Sequence, residues 1–209
     1  NDAPVATAQT VTADEDLDKV ITLSGTDIEG SALTSSITTL PSNGTLYQAN
    51  SDSSRGDAVT KVPTTVANAA FNLIYVSALN GNGDGYGNFA FKINDGTDDS
   101  DAAAVTVNVS PVDDPPTVAN PIADVAKDEA ADSTDNKNKT TIDLSTVFTD
   151  LDNEDSDIIK SVQANTNDSL LTASVSGDNL ILKQFLEVYG NTTITVRGTS
   201  NDLWVEDEF

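Results

Sequence analysis

Along most of this chain Thr, Val, Ile and Leu alternate with polar residues over short runs, and helical periodicity is almost absent. Period-two alternation puts every second side chain on one face of an extended segment, so the pattern predicts half-buried β-strands. It is clearest at Phe89-Ala90-Phe91-Lys92-Ile93 and Val105-Thr106-Val107-Asn108-Val109, and it also marks Val20 to Leu23 and Leu33 to Ile37. Turn-forming clusters separate these runs: Pro41-Ser42-Asn43-Gly44, Asn80-Gly81-Asn82-Gly83-Asp84-Gly85 and Asn94-Asp95-Gly96. Thr64 to Ala70 is compatible with one short helical turn before Phe71.

After Val109 the chain reads Ser110-Pro111-Val112-Asp113-Asp114-Pro115-Pro116. Prolines cannot donate to a ladder and they stiffen the backbone, so a domain boundary is expected here, dividing residues 1–112 from 113–209. Strand-sized runs then resume at Ile142 to Leu144, Val147-Phe148, Ile158 to Val162, Leu170 to Val175, Leu180 to Leu182 and Thr193 to Val196. Asp132 to Lys139 is polar and weakly patterned, and reads as a mobile loop. The halves are diverged copies of one design. Asn1-Asp2-Ala3-Pro4-Val5 matches Asp113-Asp114-Pro115-Pro116-Thr117, Asp14-Glu15 matches Asp128-Glu129, and Thr26-Asp27-Ile28-Glu29-Gly30 matches Thr149-Asp150-Leu151-Asp152-Asn153. Several short strands per copy predict an all-β chain of two tandem Ig-like β-sandwiches, roughly 100 residues each. The second is expected to lack its last strand, because Glu206-Asp207-Glu208-Phe209 stands where that strand should begin. The opening Asn1-Asp2-Ala3-Pro4, without Met, reads as a piece of a longer protein.

Composition narrows the chemistry. The 209 residues carry 10 Lys+Arg against 34 Asp+Glu, a formal net charge of −24, and include no His, Cys or Met. Absence of His and Cys excludes Cys/His zinc sites, ordinary haem ligation, Cys nucleophiles, disulfides and a Ser-His-Asp triad. So negative a chain has no general attraction for nucleic acid or anionic lipid. Its natural partners are hard cations, which prefer oxygen ligands. No run approaches the roughly 18 apolar residues of a membrane-spanning helix.

A seven-strand sandwich places the acidic loops at definite ends. Strand one runs from the leading to the trailing end and each later strand reverses. Asp27–Gly30 and Asp95–Asp101 then fall at the leading end of the first copy, with Asp14–Asp18, Pro41–Gly44 and Ser77–Gly87 at its trailing end. By the same logic Asp150–Asp157 and Ser200–Asp202 fall at the leading end of the second copy, facing Glu15, Asp84 and the linker pair Asp113-Asp114. Facing carboxylates repel one another. A Ca²⁺ with about 6–8 oxygen ligands would reverse the sign of that interaction. The blander reading of any single acidic loop is solvated surface.

The same residues resemble a family. Asn1-Asp2-Ala3-Pro4, Glu15, Asp27-Ile28-Glu29-Gly30, Asn94-Asp95-Gly96 and Val112-Asp113-Asp114-Pro115-Pro116 are similar to bacterial cadherin-like repeats of large surface adhesins and secreted proteins. Ile142 to Asp152 resembles the dystroglycan-type cadherin-like variety. The resemblance implies Ca²⁺ as cofactor. It places Glu15 in the first inter-strand turn, Asp113 and Asp114 in the linker, and Asp150 and Asp152 as the Asp-x-Asp pair. Asp84 and Asp202 are further candidate ligands, and Asp2, Asp27, Glu29 and Asp95 form the acidic set of the first copy. Glu29 departs from the family pattern, replacing the second Asp of its pair.

Other features add little. Arg55-Gly56-Asp57 matches an integrin-recognition tripeptide and is expected in an exposed loop. Asn43-Gly44-Thr45 and Asn191-Thr192-Thr193 are glycosylation sequons. Trp204, Tyr75, Tyr86 and Tyr189 offer a sugar-stacking platform or, more simply, packing. The Gly-rich run at 80–87 lacks the Gly-Lys-Ser/Thr of a P-loop, and no aromatic-lined cleft is apparent to tune a carboxylate pair for glycoside hydrolysis. The sequence therefore reads as a non-enzymatic, extracellular pair of calcium-stiffened spacer or adhesion repeats. Its partners would be neighbouring repeats of the same chain, with another cell surface or a polysaccharide as external partner. The rival is a carbohydrate- or ligand-binding accessory module of a secreted multidomain enzyme.

Overall fold

The computed structural model describes residues 1–128 and 138–209, and the chain divides into two compact units, Asn1–Val112 and Asp113–Phe209. Both are built from short strands, the only helical element among the described residues being a 3-10 turn at Asp155–Asp157. In unit 1 the strands are β1 (Val5–Ala6), β2 (Gln9–Asp14), β3 (Lys19–Thr22), β4 (Gly25–Thr26), β5 (Thr34–Thr39), β6 (Thr45–Ala49), β7 (Arg55–Ala58), β8 (Thr64–Thr65), β9 (Asn72–Val76), β10 (Gly83–Asn94) and β11 (Ala103–Ser110). They form sheets ordered β2-β11-β10-β5-β8 and β3-β9-β6-β7, with β1 paired to β4. The first long strand closes the sandwich against the last: β2 runs parallel to β11 from Gln9↔Val105 to Asp14↔Ser110.

Alternation sets the core. On β11 Ala103, Val105, Val107 and Val109 turn inward, and on β10 Phe89, Phe91 and Ile93 do the same. They meet Leu46, Leu73 and Tyr75 of the facing sheet in one cluster. Full burial of each large side chain contributes roughly 1.5–3 kcal/mol. Tyr75 is fully buried, with its hydroxyl donating to the Asn43 carbonyl at 3.0 Å. Burial pushes that hydroxyl's pKa up to about 12. A Cβ on Gly44 or Gly87 would stand 2.6 or 2.5 Å from the Tyr75 oxygen, and Gly44 has φ +77, so both positions require glycine.

Unit 2 has β12 (Thr117–Val118), β13 (Lys139–Asp143), β14 (Phe148–Thr149), β15 (Ile159–Asn165), β16 (Leu171–Ser176), β17 (Asn179–Gln184), β18 (Ile194–Ser200) and β19 (Leu203–Glu208). They form β13-β17-β16, β15-β18-β19 and the pair β12-β14. Leu144, Phe148, Leu180, Ile194 and Val196 make its core.

Several expectations are corrected. A last strand is present in unit 2: β19 lies antiparallel along β18 from Ser200↔Leu203 to Thr195↔Glu208, the place β11 holds on β10. The cause is Asn201-Asp202, whose φ values of 44 and 68 make a tight hairpin turn where the sequence suggested an open loop. Thr64 to Ala70 holds no helical turn, because Thr64–Thr65 pairs with Ser36 and Ile37 of β5. Gly83-Asp84-Gly85 belongs to β10, which carries a register shift between Gly83 and Gly87. Arg55-Gly56-Asp57 lies on β7 rather than in a loop. Its guanidinium is held by the Asp18 carboxylate, with Nε at 2.9 Å from both oxygens, and stacks 5.3 Å from the Tyr47 ring centroid. Glu129 and residues 132–137 of the expected loop lie outside the described residues; Asn138 is buried and Lys139 opens β13.

Candidate functional site

In unit 1 the loop after β4 carries Asp27 and Glu29. Asp27 Oδ1 accepts the Ser31 N–H at 2.8 Å, which locks the turn, while Asp27 Oδ2 is buried with no donor. Glu29 Oε1 accepts the backbone N–H of Asp2 at 3.0 Å. In the β10–β11 loop Asp95 Oδ1 accepts the N–H groups of Thr97 and Asp98, each at 2.7 Å. The Asn1 amide donates to Asp95 Oδ2 at 2.9 Å and Asp98 Oδ2 at 3.0 Å. The Asp98 N–H, then Asn1 and Thr97, hold the Asp95 carboxyl below its usual pKa. Asn1 and Asp2 thus link Glu29 to Asp95 and Asp98 at the leading end, while the bonds of Asp27 stay within its own loop, to Gly30 and Ser31.

At the other end of unit 1 Glu15 is 1% exposed. Its Oε1 accepts the Val112 N–H at 2.9 Å, its Oε2 accepts Asn82 Nδ2 at 3.0 Å, and its own N–H donates to the Ser110 carbonyl. Glu15 thus ties β2, the β9–β10 turn and the segment after β11. Asp84, expected beside it, is exposed on β10, and Asn82 takes that place.

In unit 2 the loop after β14 is denser. Asp150 Oδ1 accepts the N–H groups of Asp152 and Asn153, both at 2.9 Å, and its Oδ2 is buried without a hydrogen-bond partner. Burial alone would raise the Asp150 pKa. The Asp152 N–H, the neighbouring Ser200 hydroxyl and Asn153 outweigh it, and the carboxyl sits below its usual value. Asp113 Oδ1 accepts Asn153 Nδ2 at 2.7 Å and Asn201 Nδ2 at 3.2 Å, and the Asp114 N–H donates to Asp152 Oδ2 at 2.8 Å. Asp155 accepts from the Thr149 hydroxyl at 2.9 Å and from the Asp150 N–H at 2.9 Å. Asp113, Asp114, Asp150 and Asp152 are therefore joined in one network. Asp202 stands apart from it in the hairpin turn, with Asn201 making the contacts.

Among the described residues no three carboxylates converge as a ready-made metal cluster. Amides occupy the positions between them. Asn82, Asn153 and Asn201 present Nδ2 donors to Glu15 and Asp113, neutral dipoles that partly offset the negative charge. Sequence reasoning, which followed carboxylates, passed over these three residues and Asp155. The one available hint was that each Asn stands beside or between acidic or turn residues of the same loops.

A family model described as the SibA-like, immunoglobulin-like domain matches residues 3–109. The chain belongs to this SibA-like family, the match covering unit 1. No curated protein matches the sequence. Among solved structures, mouse cadherin-23 EC22-24 aligns over 100% of this chain and 65% of its own, at 14% identity and TM-score 0.50. Protocadherin gammaB7 EC3-6 aligns over 100% and 47%, at 14% identity and TM-score 0.47. An endo-fucoidan hydrolase of glycoside hydrolase family 107 aligns over 98% and 33%, at 16% identity and TM-score 0.32. The chain thus spans less than two thirds of these structures' own lengths. The cadherin-23 likeness supports the sandwich fold expected from the sequence, a cadherin- or Ig-like repeat. Among the described residues no helix is long and apolar enough to cross a membrane.

Proposed function

We propose that the chain is a pair of extracellular spacer or adhesion repeats stiffened by Ca²⁺, from a bacterial surface or secreted adhesin. One observation carries this reading. Asp27 and Asp150, matching residues of the two copies, each keep one buried carboxylate oxygen without a donor. Leaving such a group unsatisfied costs about 1–3 kcal/mol or more. A hard cation removes that cost and takes exactly the oxygen ligands these loops hold in excess. The residues fit the ion: Asp27 with Glu29 in unit 1; Asp113, Asp114, Asp150 and Asp152 in unit 2; and Glu15 before the linker. An Asn amide turned by half a rotation offers Oδ1 in place of Nδ2. Within unit 1 the Val112 N–H is bonded to Glu15, and within unit 2 Asp113 is bonded to Asn153 and Asn201. Small-angle scattering in EDTA and then in millimolar Ca²⁺ tests the stiffening. The distance distribution should narrow with Ca²⁺, and Asp150→Ala with Asp152→Ala should abolish the change. Coincident curves would end this reading.

A second reading, a carbohydrate-binding accessory module, is favoured by a cavity of about 500 Å³ in unit 2. Asn138, Gln184, Thr192, Leu182 and Phe209 line it, with Tyr189 at 89% exposure beside them. Gln184 Oε1 is buried there without a donor. Glycan arrays with wild type and Tyr189→Ala separate the readings, since a spacer retains no glycan in either form.

A further inference from the structure

The loop Asp150–Asp157 holds five acids in eight residues, Asp150, Asp152, Glu154, Asp155 and Asp157. Such a loop should repel itself, yet it is held in one closed network. Beneath it lies Lys160, on the inward face of β15, with its side chain only 3% exposed. Its ammonium donates to the Asp178 carboxylate at 2.8 Å and to the Asp155 backbone carbonyl at 3.4 Å. Asp155 in turn accepts the Thr149 hydroxyl and the Asp150 N–H. A chain of contacts therefore runs from the buried amine through Asp155 to Asp150, the residue with the orphaned oxygen.

Unit 1 has no such device. Lys160 pairs with Gly198 across β15 and β18, and Ser35 pairs with Ile93 across β5 and β10. The two pairs are equivalent, because Gly198 packs on Phe148, two residues before Asp150, and Ile93 packs on Gly25, two residues before Asp27. Ser35 is buried and its hydroxyl has no partner, so nothing cationic supports the first copy's loop from this position.

We propose that Lys160 is a resident cation that positions the acidic loop of unit 2 before any metal arrives. This deepens the calcium reading above, naming what holds that copy's ligands in place, but its contacts are metal-free. Burying an ammonium is costly unless it is paired and hydrogen-bonded. Asp178 and the Asp155 carbonyl meet that requirement, and the loop gains a fixed positive charge that solvent cannot screen.

The test is amide hydrogen exchange on the full chain in EDTA, comparing wild type, Lys160→Met and Lys160→Arg. Met has similar volume, and replacing one partner of an exposed carboxylate such as Asp178 leaves no buried anion behind. In Lys160→Met the Asp150 N–H should exchange about tenfold faster or more, while amides of Leu180 and Val196 keep their protection. Lys160→Arg should stay near the wild-type rate. Ca²⁺ should then slow exchange in Lys160→Met more than in wild type, because the metal supplies the missing charge. An unchanged Asp150 rate in Lys160→Met would overturn the inference. If that variant does not fold, the wild-type ammonium decides: a slowly exchanging Lys160 NH₃⁺ resonance in EDTA supports the proposal and its absence overturns it. Wild type that takes up no Ca²⁺ in calorimetry would sink the spacer reading and leave the exchange result standing.

Discussion

The two units solve one packing problem in opposite ways. In unit 1 a Cβ on Gly25 would stand 2.6 Å from Ile93, and in unit 2 a Cβ on Gly198 would stand 2.7 Å from the Phe148 ring. The large residue has changed strands and the glycine has moved to receive it. Nearby, a buried serine with an unmet hydroxyl in unit 1 holds the position that a buried, bonded lysine holds in unit 2. The closing strands differ too. β2 pairs with β11 over six residues in unit 1, whereas β19 meets no such partner among the described residues, and Ile122 N–H caps the Asp207 carboxylate at 2.6 Å instead. Through all this, Asp27 and Asp150 keep the same state, one oxygen locked by the following turn and one buried without a donor. Packing has been rewritten around an acidic feature that has not.

The strongest way to break this comparison is to exchange the packing solutions. Gly198→Ile should overpack unit 2 against Phe148 and destabilise it by about 1–3 kcal/mol or more. Adding Phe148→Gly should recover part of that loss, since the sites are in direct contact and couple. Urea denaturation followed by fluorescence reports this cleanly, because the chain's one Trp, Trp204, lies in unit 2 under the Arg197 guanidinium, 4.1 Å from the ring centroid. No recovery in the double variant would mean the two copies are not equivalent at this point. Next in size is Glu15→Ala, which strands the Val112 N–H and the Asn82 amide. It should cost unit 1 about 1–3 kcal/mol and leave the Trp204 transition of unit 2 in place.

Much of this was legible beforehand. Strict alternation at 89–93 and 105–109 located the two central strands of unit 1, because a half-buried strand must alternate. The Asn201-Asp202 hairpin was missed, since a polar dipeptide between short runs looks like any loop until both φ values are known to be positive. At the site, loop carboxylates were visible as local runs. Their amide partners were not, because Asn82 meets Glu15 across 67 residues and Asn201 meets Asp113 across 88, distances no local pattern spans. Lys160 was hidden for a different reason: a lysine inside an apolar run reads as an exposed face, and only the sandwich reveals that it points inward.

A smaller effect should appear with pH. Its bond to the Arg55 guanidinium holds the Asp18 carboxyl below its usual pKa. A depressed carboxylate stabilises the fold above its unfolded value, near 3.9, and that contribution is lost as pH falls through the lower folded value. Unit 1 should therefore weaken below about pH 4, and Asp18→Asn should flatten that acid limb. An identical limb in Asp18→Asn would assign the titration elsewhere. Smallest of all, Ser35→Ala removes a buried hydroxyl that bonds to nothing and should leave unit 1 equally or slightly more stable by thermal melting. A clear loss would show that the hydroxyl has a partner, such as bound water.

The most direct test of the account is calorimetric titration of Ca²⁺ into the metal-free chain, with Asp27→Asn and Asp150→Asn beside wild type. If the paired orphan oxygens are cation ligands, wild type should bind with a dissociation constant of about 10⁻⁴–10⁻³ M, as loop-built extracellular sites do. Each variant should lose the binding that belongs to its own unit and keep the other's. No heat in wild type at millimolar Ca²⁺, or full binding in both variants, would contradict the central claim that Asp27 and Asp150 are matched, cation-seeking residues.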